Sequence, residues 1–416
     1  MNHENNASFR VDRRQLLSGA SALSAASVLA STSQARRRSG PQRVFVQLFL
    51  RGAMDGMTTV VPHADGDYYA LRPTLAVPAP GASGGAIDLD GFFGLAPAAA
   101  PLLTPYLDGK LAFVHASGST DPTRSHFEAF TKMEFGGPNL APGAVQNGWL
   151  ARFLSTRGGG DVVRGVGAGD VLPQTLAGAP RVLPIRDFET FDFPGKTLTA
   201  QDRAQRMADA YAPIAPPVGS AALDTFAAID RFSTIDFGGY VPSGGASYPA
   251  TELGKQFHDA AALIKAQQGV EVVTIDYGGW DHHANQGPLD GLMASMLYEL
   301  SLSIEAFYLD LSDRLDEVLL SVVSEFGRRA DENGSAGTDH GRGNVMMLLG
   351  DGVVGGQVHG TWPGLGPAQL DDFALAITTD YRDVLGEAFQ NLMGATPGEL
   401  AAMFPMHTYA PVGATV

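Results

Sequence analysis

The chain of 416 residues contains no cysteine. This absence excludes disulfide bonds, thiolate metal ligands, a cysteine nucleophile and a lipid-modified cysteine. Any metal ion that the protein binds must therefore be held by histidine, aspartate or glutamate.

Basic residues are also scarce, with 28 Lys and Arg against 44 Asp and Glu and a formal net charge of −16. This acidity disfavours nucleic acid and anionic membrane surfaces as partners, so we expect no nucleic-acid partner. A small-molecule or cell-envelope substrate with an anionic ester group is still compatible, because a bound divalent cation can reverse the local sign of the field. The sequence does not indicate an oligomeric state.

Long apolar runs are missing after the N-terminal region, so we expect no membrane span in the mature protein. The N-terminus resembles a twin-arginine export signal. Arg13-Arg14 precedes the Ala/Ser-rich stretch Leu16–Ala30, and Ser33-Gln34-Ala35 offers a cleavage site. Residues 1–35 are thus predicted to be a signal peptide for export of the folded protein to the periplasm or the medium. The alternative is an amphipathic terminal helix.

Nearly continuous apolar runs alternate with amphipathic segments in residues 36–416. Such runs are typical of strands that are buried on both faces. They occur at Arg43–Leu50, Leu111–Ala116, Asp161–Val166, Arg181–Ile185, Val270–Tyr277, Glu317–Val323 and Val345–Leu349. The alternation predicts a single α/β domain, with a largely parallel central sheet and helices on both faces. The less regular residues 186–250 are a candidate cap or insertion.

Two clusters combine aspartate with histidine in glycine-flanked loops beside predicted strands. One is Asp281-His282-His283, which follows a strand, and the other is Asp339-His340, which precedes one. Carboxylate oxygen and imidazole nitrogen together suit zinc or manganese. Two further carboxylates, Asp55 and Glu325, also follow predicted strands.

If these strands are parallel, the loops that carry the polar groups meet at one edge of the sheet. We therefore predict a divalent metal site, with zinc favoured and manganese, calcium or magnesium as alternatives. The predicted ligands are Asp55, Asp281, His283, Glu325, Asp339 and His340. Such a set is large enough for two metals that bridge an oxyanion, one activating a hydroxyl or water and the other polarising a phosphoryl or sulfuryl oxygen.

A helix that begins near Ser125 offers a candidate nucleophile. Ser125 and Glu128 have the form of a capping box, which puts the serine hydroxyl at a helix N-terminus where free amides can bind an anion. His126 and Arg124 flank the serine and are further catalytic candidates, with Arg124 as a charged donor.

Structural interpretations compete with these roles. Asp55 can satisfy turn amides only, and Ser125 can be a helix cap only. His126 can be a buried hydrogen-bonded imidazole, and Glu325 can pair with Arg328 or Arg329.

The chain resembles a bacterial exported family known as domain of unknown function fifteen-oh-one. The similar segments run in order over roughly residues 40–400: Leu50–Gly56, Tyr69–Pro73, Ser125–Phe127, Gly279–His283, Ser324–Arg328 and Thr338–Gly341. That family is similar in fold to the alkaline phosphatase and sulfatase superfamily, whose members hold one or two metals at the edge of a mixed-to-parallel sheet.

The resemblance implies roles for individual residues. Asp55 matches the first metal ligand of the superfamily, Ser125 the nucleophile at a helix start, and Asp281 with His283 a later ligand pair. Thr120 stands where sulfatases carry the cysteine that becomes formylglycine, so it competes with Ser125 as the nucleophile.

One segment departs from the superfamily pattern. Glu325-Phe326-Gly327 stands where Asp-His-Gly is expected, with Phe326 in place of the histidine. The sequence Asp339-His340-Gly341 comes about fourteen residues later.

Two functions are compatible with these features. The first is an exported metal-dependent hydrolase or transferase that acts on phosphate or sulfate esters. The second is a non-catalytic binding or scaffold protein of the cell envelope with a degenerate alkaline-phosphatase-like site. The Asp-His clusters and Ser125 favour the first, whereas Phe326 and the open choice between Ser125 and Thr120 favour the second.

Overall fold

The central sheet is built from the buried apolar runs of the sequence. The computed structural model describes residues 43–138, 143–158, 160–193, 195 and 199–416, and the predicted signal peptide lies outside them. The strands are β1 (Val44–Arg51), β2 (Val60–Val61), β3 (Ile87–Asp88), β4 (Gly94–Leu95), β5 (Leu111–Gly118), β6 (Gly165–Ala168), β7 (Val182–Pro184), β8 (Val272–Gly278), β9 (Val318–Val323), β10 (Asn344–Gly350), β11 (Val358–His359) and β12 (Thr379–Asp380). Each predicted strand overlaps one of these, and the poorest match is β6.

The main sheet has the strand order β11-β5-β10-β9-β1-β8-β6-β7, and β12 also pairs with β5. Strand β1 is parallel to β8 and β9, and β6 is parallel to β7 and β8. Strand β10 is antiparallel to both of its neighbours, β5 and β9. The predicted fold class, an α/β fold with a largely parallel sheet, is therefore confirmed.

The direction of β10 decides which of its flanking loops lies at the same edge as the other loops. Asp281 and Glu325 come after the parallel strands β8 and β9 and so lie at the edge where those strands end. Because β10 runs the opposite way, the segment before it reaches that edge. Asp339 and His340 occupy this segment.

Helices cover both faces of the sheet. They are α1 (Gly56–Thr59), α2 (Gly66–Leu71), α3 (Leu103–Leu107), α4 (His126–Glu134), α5 (Trp149–Thr156), α6 (Ala200–Tyr211), α7 (Val218–Phe232), α8 (Glu252–Lys265), α9 (Leu292–Asp310), α10 (Tyr381–Asn391) and α11 (Pro397–Met403). In β1, Val46 and Leu48 pack in a core with α8 and α9, whereas Phe45 and Phe49 pack in a second core with α5, α10 and α11. Apolar contact on both faces explains why β1 is a continuous apolar run.

Helix α9 is the one described helix that is long and apolar enough to cross a membrane by length and composition. Its apolar window is 61% buried inside the protein. Met293, Leu297 and Phe307 belong to the first core. Within this fold α9 is thus a core helix.

Residues 186–250 hold α6 and α7. Helix α6 has no buried residue, whereas α7 contributes Ala228 and Phe232 to the first core. The idea that this region is a cap or an insertion stays a prediction. The described residues from 43 to 416 form one compact unit.

The capping box predicted at Ser125 is wrong. Helix α4 begins directly after Ser125, but the serine side chain makes no capping hydrogen bond. Glu128 instead accepts a hydrogen bond of 2.9 Å from the Thr123 hydroxyl. Ser125 is exposed, so its hydroxyl is not committed to holding the helix end.

Candidate metal centre

Three segments bring histidine and aspartate side chains together at the edge of the sheet. His126 comes from the first turn of α4, Asp281 and His283 from the loop after β8, and His340 from the loop before β10. The loop after β8 is fixed by backbone contacts, since the Thr338 amide donates to the His282 carbonyl. The site is therefore assembled from parts of the chain that are far apart in sequence.

The ligand atoms of His126, Asp281 and His340 all lie within 4.8 Å of one another. His340 Nε2 is 3.0 Å from His126 Nε2 and 3.1 Å from Asp281 Oδ1. His126 Nε2 is 3.5 Å from the same aspartate oxygen. His283 lies beside this group, with its Nε2 2.9 Å from His340 Nε2 and 3.0 Å from Asp281 Oδ1.

The other nitrogen of each ring faces an oxygen atom. His126 Nδ1 is 2.6 Å from Glu325 Oε1, and His283 Nδ1 is 2.8 Å from Asp339 Oδ1. His340 Nδ1 is 2.7 Å from the carbonyl oxygen of Arg124. Ionised carboxylates and carbonyls only accept hydrogen bonds, so these contacts assign the proton of each ring to Nδ1. In the neutral rings every Nε2 then presents a lone pair to the centre of the group.

Such a convergence of lone pairs and a carboxylate oxygen is unfavourable unless a cation lies among them. With bonds of about 2.0–2.1 Å, neighbouring ligand atoms on a tetrahedral zinc ion lie about 3.3 Å apart. The separations of 3.0, 3.1 and 3.5 Å in the three-residue group are close to this value. Outer oxygen atoms that fix the tautomer of metal-bound histidine are a common feature of metal sites. The residues present therefore fit a divalent transition metal ion.

A buried arginine contacts the aspartate of the group. Arg328 Nη2 donates to Asp281 Oδ1 at 2.6 Å, and the same guanidinium donates to the carbonyls of Gly52, Ala53, Trp280 and Thr338. Burial by itself raises the pKa of the Asp281 carboxyl, but the hydrogen bond and charge of Arg328, with help from His340, outweigh it and hold the pKa at about 2. Asp281 is therefore an anion throughout the physiological pH range.

His126 and His340 differ in basicity. The hydrogen bond to Glu325 raises the pKa of His126 against the opposing effect of burial. Burial lowers the pKa of His340, and this outweighs its hydrogen bonds to the Arg124 carbonyl and to Asp281. His340 is consequently neutral, as a metal ligand must be, to a lower pH than His126 is.

Asp55 does not lie among the ligand atoms. Its carboxylate is buried and accepts a hydrogen bond of 2.6 Å from Arg72, which is fully buried. Thr58 and Gln286 donate to the same carboxylate. Burial raises the pKa of Asp55, but the charge of Arg72 outweighs it, so the net shift is downward. The turn amide of Thr58 is one of its partners, but the contacts with Arg72 and Gln286 show that Asp55 does more than satisfy turn amides.

Glu325 and Asp339 stand behind the histidines. Glu325 accepts from His126, from the Gly52 amide at 2.8 Å and from the Ser324 hydroxyl at 3.0 Å. The alternative interpretation, in which Glu325 pairs with Arg328 or Arg329, is wrong, because Arg328 contacts Asp281 and Arg329 contacts Asp331. Asp339 accepts from His283 and from Asn333 Nδ2 at 3.1 Å. Both carboxylates orient imidazole rings in this geometry.

The predicted catalytic residues lie on the loop after β5 and at the start of α4. Ser125 lies between Arg124, whose carbonyl contacts His340, and His126. Thr120 is exposed on the loop five residues earlier. The Arg124 guanidinium forms an ion pair of 3.0 Å with Asp372. Of the residues predicted to be catalytic, His126 is thus the one whose ring joins the ligand group.

Several residues of the site were not predicted from the sequence. Arg72 and Arg328 lie in segments that carried the family resemblance, but no pattern indicated that each holds an aspartate. Asn333 and Gln286 lie in polar loops without a distinctive spacing. The signal that could have identified the arginines is their burial, which a single sequence does not reveal.

Comparison with known families agrees with the predicted resemblance. Residues 253–396 match the family described as "Protein of unknown function (DUF1501)". The resemblance to this family is confirmed. The matched range includes Asp281, His283, Glu325, Asp339 and His340, whereas His126 comes from outside it. No curated protein matches the chain.

The chain is also similar to solved structures at low identity. A protein in the alkaline phosphatase superfamily from Vibrio parahaemolyticus has 11% identity and a TM-score of 0.34, covering 75% of this chain and 60% of that one. A sulfatase from Pseudoalteromonas sp. has 11% identity and a TM-score of 0.37, with coverage of 93% and 76%. The soluble domain of lipooligosaccharide phosphoethanolamine transferase A from Neisseria meningitidis has 11% identity and a TM-score of 0.36, with coverage of 76% and 81%. At these scores the likeness is distant, and the side chains of the site carry the functional inference.

Proposed function

We propose that the protein binds a divalent transition metal ion through His126, Asp281 and His340, with His283 as a fourth candidate ligand, and that it uses the ion to hydrolyse or transfer phosphate or sulfate esters. The observation that carries the proposal is the convergence of three Nε2 lone pairs and Asp281 Oδ1, with each Nδ1 held by an oxygen acceptor. A set of three imidazoles and one carboxylate favours zinc and disfavours calcium and magnesium, which prefer oxygen ligands.

When bound, such an ion would polarise a phosphoryl or sulfuryl oxygen and ease loss of a proton from a hydroxyl or water. The chain's own residues would do the rest. Glu325 and Asp339 hold the imidazole rings in one orientation, and Arg328 keeps Asp281 ionised. Strong outer contacts of this kind support a site that is already arranged before the ligand arrives.

Ser125 is the proposed nucleophile and Thr120 the alternative. The Ser125 hydroxyl is exposed and is not used as a helix cap, and the residue adjoins both Arg124 and His126. The amides of the first turn of α4 are available to the oxygens of a transferring group. Ser125→Ala should lower ester turnover by orders of magnitude with little change in melting temperature. Survival of turnover in Ser125→Ala together with its loss in Thr120→Val would move the role to Thr120.

The location of this activity is proposed to be outside the cytoplasm. The support is the order of Arg13-Arg14, the apolar stretch and Ser33-Gln34-Ala35 in residues 1–35. Replacement of both arginines by lysine should abolish export of the protein. Normal export of that variant would refute the proposal.

A second candidate function is a non-catalytic cell-envelope protein with one bound metal. The observation that favours it is the closed ion pair of Asp55 with Arg72, because Asp55 was the expected first metal ligand. One ligand group of this kind is present among the described residues. A two-metal centre therefore receives no support from the described part of the chain.

Metal content and turnover measured on the same samples test both functions. The mature protein should retain about one zinc per chain after dialysis, and the loaded protein should hydrolyse some member of a panel of aryl and sugar phosphates and sulfates. Retained metal without turnover on any ester would favour the binding protein. Absence of tightly held metal from native and zinc-reconstituted protein would refute metal dependence in either form.

A further inference from the structure

Two arginines flank the metal-binding histidines and converge on one turn. Arg124 lies two residues before His126, and Arg342 lies two residues after His340. The Arg124 guanidinium contacts Asp372 Oδ2 at 3.0 Å and the carbonyls of Asp371 and Asp372 at 3.3 and 3.0 Å. Arg342 Nη1 contacts Asp371 Oδ2 at 3.1 Å. Asp371 is therefore shared by both guanidinium groups.

The carboxylates of this turn are far more exposed than the arginines that they contact. The side chains of Asp371 and Asp372 are 45% and 71% exposed, whereas those of Arg342 and Arg124 are 14% and 25% exposed. Ion pairs with an exposed partner contribute little to stability, because water competes for both groups. These pairs can consequently be exchanged for another anion at small cost.

The turn is a two-residue hairpin closed by two hydrogen bonds between the backbones of Asp371 and Ala374. Asp372 and Phe373 have φ values of 50° and 64°. Two successive residues with side chains in the left-handed region are uncommon, and neither is glycine. Positive φ at both central residues is what a type I′ hairpin turn requires, and the turn places both carboxylates beside Arg124 and Arg342.

Arg342 also has a donor that is not satisfied. Its Nε is buried and has no hydrogen-bond partner. The residue lines a small cavity of about the size of one water molecule, together with Ser119, Asp121, Thr123 and Glu325. Glu325 is the carboxylate that holds His126, so the cavity adjoins the proposed metal centre. The unpaired Nε of Arg342 is thus a free hydrogen-bond donor beside the carboxylate that holds His126.

We propose that Arg124 and Arg342 bind the tetrahedral anionic group of the substrate, and that Asp371 and Asp372 occupy the two arginines in its absence. Guanidinium groups recognise phosphate and sulfate oxygens with the same paired geometry that they use for carboxylates. The inference rests on the proposed function for the identity of the ligand, a phosphate or sulfate ester. It adds the residues that select the ligand and the carboxylates that compete with it.

The test is binding of inorganic phosphate and inorganic sulfate to the mature chain by calorimetry. Asp371→Asn/Asp372→Asn should bind phosphate about three- to tenfold more tightly, since it removes the competing charges. Arg342→Gln should bind phosphate about tenfold or more weakly, and Arg342→Lys should recover part of the loss. Comparison of the sulfate affinity with the phosphate affinity shows whether the site binds both anions or one.

A matched control separates this effect from a general change of charge. Asp313→Asn/Asp316→Asn removes two exposed carboxylates that precede β9, at the opposite edge of the sheet, and should leave phosphate affinity unchanged. Equal affinity in the two double variants, or weaker binding with a lower melting temperature in Asp371→Asn/Asp372→Asn, would overturn the inference. In that case the carboxylates only hold the turn.

Zinc content measured on the same samples keeps this inference separate from the proposed function. If phosphate binding responds as expected in protein that binds no metal, the arginine pair stands and the metal-dependent function fails. If metal binds tightly and the arginine and aspartate substitutions leave phosphate affinity unchanged, the proposed role of Arg124 and Arg342 is wrong and the proposed function stands.

Discussion

Asp55 and Asp281 both follow parallel strands at the same sheet edge, yet their surroundings differ in one decisive respect. The side chain of Asp55 is 2% exposed and its partner Arg72 is 0% exposed, so the protein itself supplies the counter-charge. The side chain of Asp281 is 43% exposed and faces the Nε2 atoms of three histidines as well as Arg328. The charge of Asp55 is neutralised by Arg72 within the protein. Asp281 instead lies in a group of hydrogen-bond acceptors that an added cation would neutralise. Position after a strand does not distinguish the two.

Removal of one imidazole ring from the ligand group of Asp281 and the three histidines should have the largest effect on metal binding. His340→Ala deletes the imidazole that touches both His126 and His283, and we expect bound zinc to be lost after dialysis. The measurement is metal content by mass spectrometry and affinity by competition with a chelator. His63→Gln is the control, because His63 pairs with the exposed Asp88 of β3, which belongs to a separate three-stranded sheet with β2 and β4. Unchanged zinc in His340→Ala would show that the converging rings are only a hydrogen-bonded cluster.

Substitution in the buried Asp55–Arg72 ion pair should instead lower the free energy of unfolding. Asp55→Asn leaves the buried charge of Arg72 without its anion, which costs about 3–5 kcal/mol of unfolding free energy. Zinc bound per folded molecule should not change. Denaturant unfolding and metal content are the two measurements, with Asp88→Asn as an exposed control. Loss of zinc from a variant of normal stability would restore Asp55 as a metal ligand, as the sequence had predicted.

The carboxylates behind the histidines should show an intermediate effect. Glu325→Gln and Asp339→Asn keep the shape of each side chain but no longer fix the ring with an ionised acceptor. We expect zinc affinity to fall by about 10–100-fold in each variant, with the fold retained. The matched control is Glu332→Gln, because the Glu332 carboxylate accepts hydrogen bonds from Thr74 and Leu75 at the surface. A complete loss of zinc from Glu325→Gln would indicate that Glu325 is itself a ligand.

The sheet edge and most of the site could be predicted from sequence, because buried parallel strands read as apolar runs and their ends are followed by polar loops. The reversed direction of β10 could not be predicted, since a short apolar run has no direction. His126 was identified only as a catalytic candidate, because its contact with His340 joins residues 214 positions apart. The roles of Glu325 and Asp339 depend on which ring nitrogen each one faces, and that is set by side-chain geometry alone.

The smallest expected effect is a shift in pH dependence, and it tests the link between Glu325 and His126. The hydrogen bond to Glu325 raises the pKa of His126 above the ordinary value of 6.5. In metal-free protein this group therefore contributes stability that is fully present below pH 6.5 and is lost as pH rises through the raised pKa. The pH dependence of zinc binding has the opposite sign. A proton on His126 Nε2 competes with the metal, so zinc affinity rises with pH.

Glu325→Gln removes the main cause of the raised pKa of His126, so the acid limb of the zinc-binding curve should move to lower pH. The ratio of the zinc affinity at pH 8 to that at pH 6 should then be smaller in Glu325→Gln than in the unaltered protein. Because this ratio compares one variant with itself, it is independent of the overall loss of affinity. Chelator competition at the two pH values gives the ratio, and histidine resonances of the metal-free protein give the pKa directly. An unchanged ratio with an unchanged His126 pKa would mean that Glu325 does not control the histidine, and the proposed outer contact would lose its chemical role.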